Sequence, residues 1–351
     1  MLKRWSAFLL ILLLLLFCIC SGCAGNAAPA LTKYEGSFLD VFDTVTRVVV
    51  YAESEDAAKR VIQRTHELLL TQHKLFDIYN EYEGINNLKT VNDAAGGDPV
   101  PVDGEIIDLL TFAKDMYGRT EGTVNVALGS VLSLWHEYRE AGINDPEHAA
   151  LPPMDALQAA NLHTRIEGLV IDRDNGTVYL ADPDMRLDVG SVAKGYAAQV
   201  TVDLLRSEGI TGVLLSVGGN VCTVGGKPDG SDWKIGIQAP AGDGYLCTVA
   251  AGAEDLSVVT SGSYQRVYTV EGKRYHHIID PATLMPATGY VSVTVLCNES
   301  GMADALSTAL FVLPLDKGRA LIDSVEGADA LWVDEAGNRT MTPGFEARLA
   351  D

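Results

Sequence analysis

LDVGSVAKGYAAQ, residues 187–199, reads as a junction between two kinds of backbone. Leu187 and Asp188 end an expected strand, Gly190 permits a tight turn, and a helix follows through SVAKGYAAQVTVDLLRSEGI (191–210). A helix start presents unpaired N–H groups that attract anions, and Lys194 adds a positive point charge in the first turn. An ordinary strand-turn-helix connection with a surface lysine accounts for the same residues, so the motif alone does not decide its use.

Working outward, the same alternation recurs. FLDVFDTVTRVVVYA (38–52) is β-branched and reads as one strand. A long helix is expected over 54–79 with Ser54 as its N-cap, a second over 102–122, and a short third over 155–164. LVIDRDNGTVYLA (169–181) is a hairpin turning on Asn175-Gly176. Beyond the junction, 212–226 and 233–240 read as strands, and VYTVEGKRYHHII (267–279) as a hairpin turning at Glu271-Gly272. ADALSTALFVL (303–313) is a helix stopped by Pro314; one more helix and a hairpin around Glu335–Gly337 complete the tail. This is a mixed α and β chain, without internal repeat or composition break, and 37–351 reads as one domain.

The chain has 351 residues and a net charge of −21, which argues against nucleic acid or an anionic membrane surface as the main partner. A phosphate ligand would need a metal or a local cation to enter so acidic a protein. The start, MLKRWSAFLLILLLLLFCICSGC, has a basic pair, an apolar run and Ser21-Gly22 before Cys23. That resembles a bacterial lipoprotein signal over 1–22, with Cys23 as the lipidated, palmitoylated residue; the alternative is a signal anchor left uncut. Residues 23–36 then read as the lipidated cysteine and a tether, which places the protein on the extracytoplasmic face of the cell membrane. Cys222, Cys247 and Cys297 have no metal-site spacing and read as small buried hydrophobes.

Three further stretches could carry chemistry. LSVGGNVCTVGG (215–226) has paired glycines between apolar runs, suiting close backbone approach to a flat ligand or a plain hairpin turn. Asp304 and Thr308 are four apart, so one helix face offers two hard oxygens to Mg²⁺; alternatively Thr308 bonds back to its own helix and Asp304 caps it. In YHHIIDP (275–281) a strand over 275–279 would point His276 and His277 to opposite faces, so that only one reaches a ligand.

Together the motifs occur in the order Asp188-x-Gly-x-x-Ala-Lys194-Gly-Tyr, Ser216-Val-Gly-Gly-Asn220, Thr260-Ser-Gly-Ser-Tyr264, His277-Ile-Ile-Asp-Pro and Ala303-Asp-Ala-Leu-Ser-Thr-Ala. This order over about 37–315 resembles the ApbE family, the FAD:protein FMN transferases. The resemblance implies an α+β fold, T-fold-related, with mixed sheets and packed helices. It implies FAD as substrate, Mg²⁺ as cofactor, and transfer of the FMN half to a threonine hydroxyl of an acceptor protein, with release of AMP. The acceptor it suggests is a membrane redox subunit. Residue by residue, His277 matches the family histidine, Asp188 and Lys194 match FAD contacts, and Ile279 lies where the family touches flavin. Asp304 and Thr308 match metal-binding side chains, and Ser191 a position that ligates through its backbone carbonyl. The first half departs more: Phe42-Asp43-Thr44 stands where many members have Met-Gly-Thr, and Asp77-Ile78-Tyr79 where they have Ser-Thr-Tyr. Thr123-Val124-Asn125 follows Gly122 where they have Ala-Phe-Asp. Phe42, Tyr79, Thr123, Val124 and Asn125 are the cofactor-binding assignments there, Tyr79 keeping an aromatic group able to stack on a flavin or adenine ring. Water in place of threonine would make the protein an FAD pyrophosphatase; a non-catalytic flavin-binding lipoprotein is the other alternative.

Overall fold

The β-branched run is two strands, not one. In the computed structural model, which describes residues 31–240 and 244–350, β1 (Thr32–Val41) and β2 (Thr44–Ala52) form an antiparallel hairpin reversing at Phe42 and Asp43. Thr32–Gly36, expected to be tether, is therefore strand, paired with Val48–Ala52. Cys23, the signal over 1–22 and the rest of the tether lie outside the described residues.

Three short strands, β3 (Val100–Pro101), β4 (Leu169–Asp172) and β5 (Thr177–Leu180), form a small sheet that includes the Asn175-Gly176 hairpin. Next come β6 (Val213–Val217), β7 (Asn220–Val224), β8 (Trp233–Gln238), β9 (Tyr245–Ala251) and β10 (Ser257–Gly262). β11 (Tyr268–Val270) and β12 (Lys273–Tyr275) make the expected hairpin. β13 (Tyr290–Cys297), β14 (Asp329–Asp334), β15 (Arg339–Met341) and β16 (Leu349–Ala350) follow. The main sheet runs β1-β2-β6-β7-β10-β13-β14-β15, every neighbour antiparallel.

Both faces of this sheet are covered, and the alternation of side chains sorts them. Val48, Val50, Val259 and Val295 face helices Glu55–Phe76, Ala193–Ser207 and Ser300–Val312. Val258, Leu296, Leu331 and Val333 face the β16-β9-β8 sheet through Trp233, Ile235 and Ile237. Cys222 and Cys297 are buried and Cys247 partly so, and none is in a disulfide.

Three expectations change. Leu187 and Asp188 are in no sheet: the Asn92 side chain bonds both the N–H and the carbonyl of Leu187, at 2.7 and 3.0 Å, doing a neighbouring strand's work. Helix Ser300–Val312 is capped by Glu299 rather than Asp304, so Asp304 lies one turn inside it. Helix Gly129–Asn144 has no counterpart in the sequence reading; it opens on a glycine without a side-chain cap, the signal by which a helix start is recognised.

Candidate active site

One cavity of ≈ 260 Å³ sits where β2, β6, β7 and β10 end together. Thr44, Gly218, Asn220 and Thr260–Gly262 supply its floor. Gly218 permits this convergence: its φ is +57°, and a Cβ there would lie 2.6 Å from Thr44 Oγ1.

At one end two helices meet. A Cβ on Gly195 would lie 2.4 Å from both Asp304 Cβ and the Ser300 carbonyl oxygen, so only glycine lets helices Ala193–Ser207 and Ser300–Val312 approach this closely. The Gly195 N–H donates to Asp304 Oδ2 at 2.8 Å. That is the N–H that would otherwise close the first helical turn onto Ser191, and no hydrogen bond reaches the Ser191 carbonyl among the described residues. Thr308 donates back to the Asp304 carbonyl at 3.3 Å, leaving its oxygen free to accept. Lys194 Nζ stands 3.8 Å from Asp304 Oδ2 and 3.4 Å from the Gly190 carbonyl. Asp304 is 5 % exposed. A buried carboxylate, an unpaired carbonyl and a hydroxyl on one wall are hard oxygens of the kind Mg²⁺ takes, so the donor set fits that ion.

The histidines differ by bonding, not by strand alternation. β12 stops at Tyr275, because the chain leaves its sheet there, and His276 and His277 both line the cavity. His276 is committed at both nitrogens: Nε2 to the Ala287 carbonyl at 2.9 Å, and Nδ1 accepting from Ile278 N at 3.2 Å. Its ring also packs edge-on against Phe311. His277 Nδ1 is buried with no partner. Burial, then Arg266, His276 and Lys194, push the His277 pKa down to about 3, with a backbone bond to Gln265 opposing them. His277 is therefore a neutral imidazole whose Nδ1 no protein group satisfies.

The rest of the wall is brought from both halves of the chain. Tyr79, Thr123, Val124, Asn125, Asp188 and Ile279 all line the cavity. Asn125 is occupied structurally, its side chain donating to the Thr164 carbonyl and accepting from Ala127 N, both at 2.9 Å. Val124 is buried in the core, and Asp188 Oδ1 accepts from Gly190 N at 2.8 Å to shape the loop before Lys194. Phe42 does not line the cavity. Its ring packs on the core and on His73, because the hairpin reverses at this residue, and Asp43 and Thr44 take its place at the wall.

The sequence reading missed His136, Arg139 and Arg266. The first two ride on the unforeseen helix Gly129–Asn144, and Arg266 on a loop at φ +46°. Arg139 donates to His136 Nδ1 at 2.7 Å, and the His136 ring lies 5.3 Å from that of Tyr79, tilted by 31°. With Lys194 the two arginines bring three cations to a wall that also carries Asp43, Asp188 and Asp304, inside a chain of net charge −21. A mixed sheet-and-helix scaffold whose aromatic-walled cavity holds Lys194, Arg139 and Arg266 as well as an oxygen ligand wall suits an enzyme acting on a phosphate-bearing aromatic ligand.

The comparisons narrow the class. The ApbE family model matches residues 42–332, and the chain belongs to the ApbE family. It is similar to the FAD:protein FMN transferase of Treponema pallidum, 34% identical over 337 residues, 92% of this chain and 89% of that protein. A second relative of that name, from Klebsiella pneumoniae, is 32% identical over 86% of this chain and 88% of its own. Among solved structures, the ApbE protein of Thermotoga maritima superposes with a TM-score of 0.80 at 29% identity, covering 91% of this chain and all of that one. The flavin transferase ApbE of Vibrio cholerae gives 0.74 at 25% identity, covering 91% and 100%. The α+β architecture expected from the resemblance is the one observed.

Proposed function

We propose that this chain is an FAD:protein FMN transferase that moves the FMN half of FAD onto a threonine hydroxyl of an acceptor protein and releases AMP, with Mg²⁺ as cofactor. The observation that carries this is the convergence of the Asp304 carboxylate, the unpaired Ser191 carbonyl and the Thr308 hydroxyl beside Lys194, with the His277 imidazole, unpartnered at Nδ1, lining the same cavity.

Asp304, Thr308 and the Ser191 carbonyl would hold Mg²⁺, which when bound neutralises pyrophosphate charge. Lys194 and Arg266 hold the phosphates by charge. In the transfer, the threonine Oγ–P bond forms as the bond from that phosphorus to the AMP phosphate oxygen breaks. The hydroxyl proton passes to the His277 imidazole, and AMP leaves with the electron pair of the broken bond. Burial and neighbouring cations make that imidazole a weak base. Phosphate charge beside it offsets the cations, so its basicity rises when the substrate is in place. Tyr79 and His136 offer ring faces to the flavin or adenine.

The same reading includes export and lipid anchoring at Cys23, supported by the signal-like start of the sequence. The acceptor is then a membrane redox subunit with an exposed threonine. Incubation with FAD, Mg²⁺ and a threonine-bearing acceptor should add the mass of FMN to the acceptor and yield one AMP per transfer. AMP and free FMN without modified acceptor would make the protein a pyrophosphatase, and FAD retained unchanged would make it a binding protein. Retention of Cys23→Ala at the membrane as firmly as wild type would remove the lipid anchor.

A further inference from the structure

We propose that His73 is a positioning residue for flavin-nucleotide binding, and this rests on the transferase reading above. It ties the Phe42–Asp43 turn to the loop that carries Tyr79, and Asp43 and Tyr79 both line the cavity. The need for such a tie comes from the backbone. Phe42 has φ +53° and Asp43 φ +50°, in a two-residue hairpin loop that ordinarily takes Asn-Gly. Left-handed backbone is rare for non-glycine residues and an outlier for a bulky one such as phenylalanine. Asp43 and Thr44, beside the strained residue, line the cavity.

The tie is a one-way chain of hydrogen bonds. The Phe42 N–H donates to His73 Nδ1 at 3.2 Å, which leaves that nitrogen without a proton. In the neutral ring Nε2 then carries the proton, and Nε2 meets Tyr82 Oη at 3.3 Å. Tyr82 Oη donates to Asp77 Oδ2 at 2.8 Å. Asp77, 8 % exposed, accepts from Tyr79 N at 2.7 Å and Asn80 N at 3.1 Å, with the Asn80 side chain at 2.9 Å on its other oxygen. Each donor has one acceptor, the carboxylate ends the chain, and only one tautomer of His73 satisfies all of it. The Phe42 ring lies edge-on to His73, centroids 5.7 Å apart, so the residue left out of the cavity is the one that anchors the turn.

The test uses the full chain in a transfer assay and in solution NMR. Tyr82→Phe keeps the ring and cuts the chain in the middle; His73→Leu cuts it at both ends. Both should raise KM for FAD by roughly tenfold with kcat within about threefold, as expected when ground-state positioning is lost. His73→Asn, whose Oδ1 can still accept from Phe42 N, should recover most of that loss. An unchanged KM in folded Tyr82→Phe and His73→Leu, or a fall in kcat alone, overturns the proposal. In the ligand-free wild type the ¹⁵N shifts of His73 should report the Nε2–H tautomer near pH 8. A proton on Nδ1 there overturns the chain of bonds, whatever the ligand. A wild type that has the tautomer but takes no FAD overturns the transferase reading and, with it, the positioning role, while the bonds themselves stand.

Discussion

The two ends of the cavity are built in opposite ways. At the oxygen-ligand end, Asp304 is 5 % exposed, and glycine contact between two helices leaves it no room to move. At the aromatic end Tyr79 is 54 % exposed, and the neighbouring turn is left-handed at two non-glycine residues. The first end is held by packing, which is steep and unforgiving at short range. The second is held by directional hydrogen bonds through His73, Tyr82 and Asp77, which can be cut singly with little loss of packing. On the function proposed above, the rigid end would hold the metal and the adjustable one the ring.

That contrast can be broken at several points, beginning where the effect should be largest. Asp304→Ala removes the charged oxygen ligand and the acceptor for Gly195 N, and transfer should fall by about 10³-fold or more, with added Mg²⁺ failing to restore it. Full Mg²⁺-dependent turnover in that variant would move the metal elsewhere. His277→Gln should lose about 10²–10⁴-fold in kcat while keeping most FAD affinity, the range for a positioned proton acceptor. His276→Ala, by contrast, should show mainly a stability change, since its nitrogens are spent on Ala287 and Ile278. Comparable kcat losses in the two would erase the distinction drawn from their bonding.

Packing is tested by Gly195→Ala. The added methyl has to push Asp304 or the Ser300 carbonyl aside, at a cost of about 1–3 kcal/mol, read as a lowered Tm together with lost activity. A variant as stable and active as wild type would show that the helices can part.

Acid stability gives a further test. His277 stays neutral in the folded chain down to about pH 3, whereas its ordinary value is 6.5. Between these values the unfolded chain binds the extra proton, so stability present above pH 6.5 is lost as pH falls. The loss from this residue approaches about 1.4 kcal/mol per pH unit inside the window. Burial lowers His276 in the same direction. Urea denaturation of the ligand-free protein at pH 6.5 and 5 should show a drop of about 2 kcal/mol that His277→Gln reduces. An equal slope in the variant would assign the acid loss to other groups.

The smallest effect belongs to the open end: Tyr79→Leu should weaken FAD binding by about two- to tenfold, the worth of one aromatic contact, with kcat preserved. A larger loss in kcat than in affinity would put Tyr79 in the chemistry.

The order of motifs from Asp188 to Thr308 was legible in the residues because each motif is local. A turn glycine, the lysine four residues after it and an i,i+4 pair on one helix lie close along the chain, so spacing alone brings them together. The β6–β7 and β11–β12 hairpins and the long helices were readable for the same reason. Three-dimensional packing decided the rest. Asn92, far from Leu187 in sequence, replaced an expected strand partner. Arg139 and His136 reached the cavity on a helix whose start carries no capping signal. The choice between adjacent histidines turned on which nitrogen lacks a partner, and Phe42 lies outside the cavity because the hairpin reverses at it. Local spacing sets which side chains can share an element. Only the burial of distant elements against one another settles which polar atoms are satisfied by the protein and which are left for a ligand.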